Sequence, residues 1–380
     1  MQVLKTGFHS WCAGQLAEGC KRCVQGRKLV LFITGLCGQR CFYCPVGEKK
    51  FGHDTVYANE WKLGHADDPK ELLEEARLTE ATGAGITGGD PLVKVERCCE
   101  YIRLLKREFG KDFHIHLYTP LRLVTEERLK ALHDAGLDEI RFHPDLDDRT
   151  LWPRLDLAKR FDWTVGVEIP AVPGYARQIK EVIDFIAGKV SFINLNELEL
   201  SDTAADHYKL DEMGFEPKDS ASYGVKGSDV LGRRMLAYAQ KKGLPAHFCT
   251  AKLKDLVQVK NRLKLRAEST ALPFDVKTDE GTLLRGCVYL RGLEPGARTK
   301  ERVAMVPEAE RIRFLSELKA RLADAGVPEE KIIIDVAHAR LIIPRSVAQR
   351  ERKLLRSHGV PALVEEYPTA DALQVDVEFV

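Results

Sequence analysis

From residue 28 the chain alternates short apolar runs with longer amphipathic ones. KLVLFITG (28–35) is nearly all apolar and β-branched at Val30 and Ile33, the mark of a strand buried on both faces in a parallel sheet. PKELLEEARLTEAT (69–82) predicts a helix with proline near its start. GAGITGG (83–89) predicts a second strand closed by a glycine turn. From Val93 to Phe109, the residues Val95, Cys98, Ile102, Leu105 and Phe109 recur at helical spacing. FHIHLYTP (113–120), DEIRFHP (138–144), TVGVEIPAVPG (164–174) and SFINLNELEL (191–200) predict four more strands. TEERLKALHDAG (125–136), ending on Gly136, and ARQIKEVIDFIAG (176–188) predict helices. Six β-runs separated mostly by helices predict an α/β fold with a parallel sheet, open or curled. Six units suit a partial (β/α)6 barrel better than a barrel of eight.

Beyond residue 200 the rhythm loosens. DHYKLDEMGFEPKDSASYGVKGSD (206–229) predicts an excursion with little regular structure. A helix (230–242), the strand-like PAHFCTA and a basic helix from Lys252 to Glu268 follow. From about 281 a second rhythm sets in: LLRGCVYL, a long helix, KIIIDVA, RLIIP, another helix and PALVEEY. That β-α-β-β-α-β order predicts a small C-terminal α+β domain of ferredoxin-like type. The expected division is a cysteine-bearing segment at 1–27, the barrel with its extension at 28–270, and the C-terminal domain at 271–380.

Charge narrows the function classes little. The 380 residues carry 58 Lys+Arg against 57 Asp+Glu, net +1, so no one-signed field calls for nucleic acid or an anionic membrane. The start, MQVLKTGFHSWCAG, has no apolar core of a signal peptide, and no run of about 18 apolar residues occurs. The expectation is a cytoplasmic protein without membrane contact. Thiols stay reduced there, so metal binding is a better use of ten cysteines than disulfides. Six of the ten fall within the first 44 residues: Cys12, Cys20, Cys23, Cys37, Cys41 and Cys44.

The stretch GLCGQRCFYCPVGE (35–48) spaces Cys37, Cys41 and Cys44 as C-x3-C-x2-C, with Tyr43 before the last. A cubane iron–sulfur cluster has four irons, each wanting a ligand, so three cysteines leave one iron open to a small molecule. The loop follows the first strand, at the carboxyl end of the sheet, where α/β folds place ligands. The second strand ends in TGGDP (87–91). With these motifs the chain resembles the radical S-adenosylmethionine (SAM) superfamily, and more closely an archaeal branch related to pyruvate formate-lyase activating enzymes. The resemblance covers roughly residues 28–200, about half of the chain.

That resemblance implies a [4Fe–4S] cluster on Cys37, Cys41 and Cys44, with SAM chelating the fourth iron. One electron, from a reductant such as ferredoxin or flavodoxin, then cleaves SAM to a 5′-deoxyadenosyl radical that abstracts hydrogen from a substrate. It implies SAM contacts at Tyr43, at the Gly88–Gly89 turn and at Asp90, where the family usually has glutamate. By strand order it adds Arg141, His143, Glu168, Asn194 and Asn196. The competing reading of the loop is a zinc knuckle, which prefers paired C-x2-C units.

Upstream, Cys12, Cys20 and Cys23 in WCAGQLAEGCKRC suggest an auxiliary metal site, with Cys249 in HFCT as the preferred fourth ligand over Cys287. A second [4Fe–4S] cluster, a structural zinc and unligated thiols are the three readings. Cys98 and Cys99 belong to a helix's apolar side and read as core. Lys252, Lys254, Lys260, Arg262, Lys264 and Arg266 read as a solvated helix face or, more sharply, as phosphate contacts of an RNA. The substrate is therefore open, with tRNA modification one candidate and sulfur insertion from a sacrificed auxiliary cluster another. A non-enzymatic iron–sulfur or zinc carrier, or an RNA-binding protein, is the reading from another class.

Overall fold

The computed structural model describes residues 2–66, 68–219 and 222–380, and the chain divides into two units, Met1–Arg262 and Leu263–Val380. The division falls inside the helix Lys260–Thr270, upstream of the expected boundary after residue 270.

The first unit opens with a hairpin, β1 (Val3–Lys5) and β2 (Trp11–Ala13), and a short helix, α1 (Glu18–Val24). Residues 3–24 belong to the first unit together with the barrel strands. The expected six strands follow: β3 (Lys28–Phe32), β4 (Gly83–Thr87), β5 (His114–Pro120), β6 (Glu139–His143), β7 (Thr164–Ala171) and β8 (Phe192–Glu197). They pair in chain order, all parallel. A seventh, β9 (Ala246–Cys249), extends the parallel sheet beside β8, and β2 closes onto it antiparallel. The strand-like PAHFCTA is this strand.

Helices α2 (Lys70–Leu78), α3 (Val95–Phe109), α4 (Glu126–Ala135), α5 (Ala176–Ile186) and α6 (Ser228–Lys241) connect the strands. Between β6 and β7 the connection is a 3-10 stretch, Trp152–Arg160, with Pro153 in its first turn. Local chemistry fixes the ends of α4: Thr125 Oγ1 accepts from the Arg128 amide, and Gly136 takes the left-handed conformation at φ 102°.

The strands are two-faced. Leu29, Leu31, Ile115, Leu117, Ile140 and Phe142 are fully buried in one core with the helices. The residues between them (Tyr118, Glu139, Arg141 and His143 on β5 and β6) turn the other way, as the period of two demands. Glu168, Asn194 and Asn196 continue that face on β7 and β8. Cross-sheet contacts show the curl of a partial barrel: the Lys28 ammonium on β3 stands 6.0 Å from the Tyr118 ring on β5, and the Arg141 guanidinium on β6 stands 5.2 Å from the Phe192 ring on β8.

The expected excursion holds a two-stranded ladder, Pro217–Asp219 with Ser222–Val225; Ser220 and Ala221 of that stretch lie outside the described residues. The basic helix is not one solvated rod. It breaks into Ala251–Leu253, a π-helical turn Lys254–Val259 and Lys260–Thr270, and Arg262 and Arg266 are buried.

The second unit carries β10 (Leu283–Tyr289), β11 (Ile333–Asp335), β12 (Arg340–Ile343), β13 (Val360–Glu366) and β14 (Gln374–Phe379). Their order, β11-β12-β10-β13-β14, is antiparallel throughout. The long helix Glu308–Asp324 and the short Arg352–His358 complete the β-α-β-β-α-β order expected of a ferredoxin-like domain, and β14 is added at the edge. Val288, Leu341, Ile343 and Leu363 pack one face of the sheet against Leu315, Leu318 and Leu322 of the long helix.

Candidate active site

The loop after β3 is tied to itself and to β4. Its base closes where the Gly35 amide donates to the His53 carbonyl (2.8 Å) and the Gly52 amide to Gly35 (3.1 Å). The Gly89 amide donates to the Thr34 carbonyl (2.8 Å) and the Asp90 amide to Leu36 (2.9 Å), which stitches the second-strand turn to the start of the cysteine loop. Only glycine fits there. A Cβ on Gly88 would stand 2.4 Å from the Thr34 carbonyl oxygen; one on Gly89 would stand 2.5 Å from that of Leu36 and 2.9 Å from Cys37 Cβ. Cys37, Cys41 and Cys44 therefore come to the same wall as this turn.

All three cysteines, with Tyr43, Gly88 and Gly89, line one cavity of about 320 Å3. Arg141, His143, Glu168 and Asn196 line it from the strand ends, so the structure brings together most of the expected SAM contacts. Asp90 and Asn194 are the exceptions; Asn194 lies beneath, bonded to Glu168 and Cys20, and Asp90 is turned away. The Asp90 carboxylate is buried and accepts from the Leu92 amide (3.0 Å) and the Thr119 hydroxyl (2.8 Å), as a cap of the following turn, and it does not line the cavity.

A relay of hydrogen bonds fixes the strand-end groups. His143 Nδ1 donates to the Glu168 carbonyl (2.8 Å), which leaves Nε2 to accept from the Tyr43 hydroxyl (3.0 Å); the network assigns this tautomer. Burial lowers the His143 pKa and outweighs the pull of Glu168. The Glu168 carboxylate accepts from Arg141 (2.9 Å), Asn194 (2.9 Å) and Asn196 (3.0 Å). Burial alone would raise it, but Arg141 and the two amides hold it below its ordinary value. Arg141 also pairs with Glu139. Burial opposes that carboxylate's charge as well, yet Arg141 and His114 bring it down to about 2.

Residue patterns in the sequence missed the far side of the cavity. Glu197, Glu199, His207 and Lys254 line it there, with Tyr118 beneath. Lys254 pairs with Glu199, and Glu197 accepts from Lys218 (2.6 Å) and the Ala251 amide (2.8 Å). The available signal was the inward period of β8, Asn194–Asn196, which continues in Leu198 but is handed to Glu197 and Glu199 as the strand ends.

The upstream cysteines divide. Cys20 and Cys249 face the barrel interior: Cys20 Sγ accepts from Asn194 Nδ2 (3.2 Å), and Cys249 is the register partner of Asn196. Cys23 lies one turn beyond Cys20 on α1. Cys12 on β2 is the register partner of His247 on β9, which is in turn the partner of Asn194, and its thiol is partly buried. Cys98 and Cys99 are core residues, and Cys287 is buried in the second unit.

The site fits the group that three cysteines imply. Among the described residues no three or more His, Cys, Asp and Glu side chains converge as around one ion; a cubane, whose ligands stand on separate irons, makes no such demand. Burial pushes the Cys37 thiol up to about 11, and those of Cys41 and Cys44 upward too, so metal must displace their protons.

Sequence comparisons give the family. The family model described as "Radical SAM superfamily" matches residues 31–163. The chain belongs to the radical SAM superfamily and is an enzyme of that class, whose members use a [4Fe–4S] cluster and SAM. It is 37% identical, over 371 residues, to a curated protein of Methanocaldococcus jannaschii named "Putative glycyl-radical enzyme activating enzyme MJ0021", covering 95% of this chain and 92% of that one. Among solved structures it is similar to SuiB of Streptococcus suis (13% identity, TM-score 0.40), covering 59% of this chain and 49%, about half, of that one. It is also similar to coproporphyrinogen III oxidase HemN of Escherichia coli, described as a radical SAM enzyme (11% identity, TM-score 0.35), covering 91% and 93%. Among the described residues no helix is long and apolar enough to cross a membrane.

Proposed function

We propose that Cys37, Cys41 and Cys44 hold the [4Fe–4S] cluster on three corners, and that SAM occupies the adjoining cavity. One observation carries this: the three thiols and the Gly88–Gly89 turn line the same cavity as the polar ends of β6 to β8. When bound, the reduced cluster supplies the electron that splits the SAM sulfonium and frees a 5′-deoxyadenosyl radical for hydrogen abstraction.

The chain's own residues bind and orient. The carbonyls at Gly88 and Gly89, on the cavity wall beside Cys37, are the acceptors for the methionyl ammonium. Asp90 supports the turn as a cap and leaves that contact to the backbone. Glu168 and Asn196, steadied by Arg141 and Asn194, offer the polar edge for ribose hydroxyls. Neutral His143 holds Tyr43, the residue before Cys44, by its hydroxyl. Lys254, Glu199 and His207 face the substrate's approach.

A ferredoxin or flavodoxin is the expected reductant. Activation of a glycyl-radical enzyme, as in the name of the Methanocaldococcus relative, tRNA modification and sulfur insertion all begin with this step. The RNA reading loses one support, since Arg262 and Arg266 are buried and Lys254 faces the cavity. The test is anaerobic reconstitution, then dithionite and SAM with mass detection of 5′-deoxyadenosine, beside Cys37→Ala. Formation by the native chain and its loss in the variant are expected; a fully loaded native chain that forms none overturns the reading. Deuterium carried from labelled protein or labelled tRNA into 5′-deoxyadenosine then separates the substrates.

A further inference from the structure

A second set of thiols lies inside the barrel, Cys20 and Cys23 on the helix at the amino ends of the strands and Cys249 at the carboxyl end of β9. Helix α1 is tied to those amino ends: Arg22 Nε donates to the Thr82 carbonyl just before β4 (3.0 Å), and the Gly19 amide donates to Glu139 at the start of β6 (3.5 Å). Cys20 and Cys23, three residues apart, share one face of α1. Cys20 Sγ meets Asn194 Nδ2, and Asn194 also donates to Glu168, so the thiol touches the underside of the layer that floors the cavity. Cys249 enters from β9. Its register partner Asn196 belongs to that same layer, and Gln258 Nε2 lies 3.8 Å from its sulfur. Cys249 thus borders the same layer that Cys20 touches.

These are not packing cysteines. Cys98 and Cys99 pack in the main apolar cluster, whereas Cys20, Cys23 and Cys249 lie outside it, Cys20 and Cys249 against the side-chain amides of Asn194 and Gln258. The surroundings also hold unused hydrogen-bonding capacity. Arg141 Nη2 and Asn194 Oδ1 have no partner although their residues are 2% and 3% exposed. Such groups are costly unless something meets them. Arg141 Nη2 points to α1, since a Cβ on Gly19 would stand 2.8 Å from it. Lys28 beside Cys23, Arg141 beside Cys20 and Lys254 beside Cys249 make a cationic surround suited to a thiolate-bound group.

We propose that Cys20, Cys23 and Cys249 hold a second [4Fe–4S] cluster inside the barrel, against the Arg141–Glu168–Asn196 layer, with Arg141 as a donor to its sulfides. Cys12, expected from the sequence beside Cys20 and Cys23 with Cys249 as the fourth ligand, is left out of the proposed set. Because the thiols do not converge on one ion, the group that spans them brings its own bulk, which a cubane does and a single zinc does not.

The test needs no change at the new site. The full-length chain carrying Cys37→Ala, Cys41→Ala and Cys44→Ala is reconstituted anaerobically with iron and sulfide. Iron, sulfide and zinc are counted, and the electron paramagnetic resonance spectrum is taken after dithionite. About four irons and four sulfides with a reduced-cluster signal are expected, against about eight irons in the native chain. Adding Cys20→Ser, Cys23→Ser or Cys249→Ser abolishes the signal, while Cys12→Ala leaves it. An iron-free triple variant, one zinc in place of the cluster, iron that survives all three serine changes, or loss of iron on Cys12→Ala each overturns the proposal. These readouts do not depend on deoxyadenosine, so failure here is distinct from failure of the SAM reading.

Discussion

Two buried charge networks sit on sheet faces of this chain, and they end differently. In the second unit Arg340 Nε lies 2.8 Å from Asp335, its Nη2 donates to Glu366 (2.9 Å), and Arg285 Nη1 donates to the same carboxylate (2.8 Å). Arg285 reaches Asp275 as well, His338 reaches Asp335, and Gln374 closes the edge on Tyr289 (2.6 Å). Both arginines are answered by carboxylates. In the barrel Arg141 answers Glu139 and Glu168, but Nη2 is left over, and Glu168 lines a cavity. The residue types are alike. The difference lies in what the leftover atom meets: Glu366 Oε2, itself without a hydrogen bond, still stands 2.7 Å from Arg340 Nη1, whereas Arg141 Nη2 has no partner and its network opens on a cavity, so it is the one with chemistry left to do.

The largest test breaks the closed network. Arg340→Met leaves Asp335 and Glu366 buried without their shared cation, which costs about 3–5 kcal/mol. Amide exchange in β10 to β13 of the full chain should accelerate by several orders of magnitude, and that in β3 to β9 far less. A variant as protected as the native chain would mean that the network holds nothing together.

Acid separates the same two regions by sign. Burial keeps His247 in the barrel neutral, its pKa down at about 4 against Glu168's pull, while the unfolded chain titrates near 6.5. The unfolded state takes up the proton first, so this stability is full above about pH 6.5 and is lost toward pH 4, on the order of 3 kcal/mol. His338 runs the other way. Asp335 raises its pKa against the effect of burial, so its contribution is full below about pH 6.5 and is lost as pH rises through the folded value. Exchange protection measured at pH 7.5 and pH 5 should fall in β8 and β9 and hold or rise in β11 and β12. The same trend in both regions would remove the contrast.

The sequence reveals the frame and the loop well, because both rest on local signals. Apolar runs, the Thr125 and Gly136 caps and C-x3-C-x2-C are readable without partners. β9 is four residues long and separated from β8 by the excursion and α6, so its place in the parallel sheet is decided by tertiary pairing. The same holds for Lys254, which reads as one more lysine on a basic helix until a π-helical turn opens at that residue, beside Glu199. Cys20 and Cys12 look equivalent in WCAGQLAEGCKRC; only the meeting of α1 with Asn194 separates them.

A smaller effect probes the wall of the open site. Gly89→Ala drives a methyl against the Leu36 carbonyl and Cys37 Cβ, an overpacking of about 1–3 kcal/mol. It should appear as iron lost from the reconstituted chain on desalting, with the second unit unchanged. Full retention of iron would show that the loop yields, and that the close approach is not what positions Cys37.

The smallest effect separates motif from geometry at Asp90. By position in TGGDP the carboxylate reads as a ligand of SAM; by contact it is a cap, bonded to the Leu92 amide and the Thr119 hydroxyl. Asn caps about as well as Asp, so Asp90→Asn should move stability by no more than about 0.5 kcal/mol. Equilibrium binding of SAM to the reconstituted chain should be unchanged. A drop in affinity of tenfold or more, about 1.4 kcal/mol, would mean that the carboxylate turns to the ligand. Asp90 would then leave its closed set of bonds for the open one, and the line drawn between the two kinds of network would not hold at this residue.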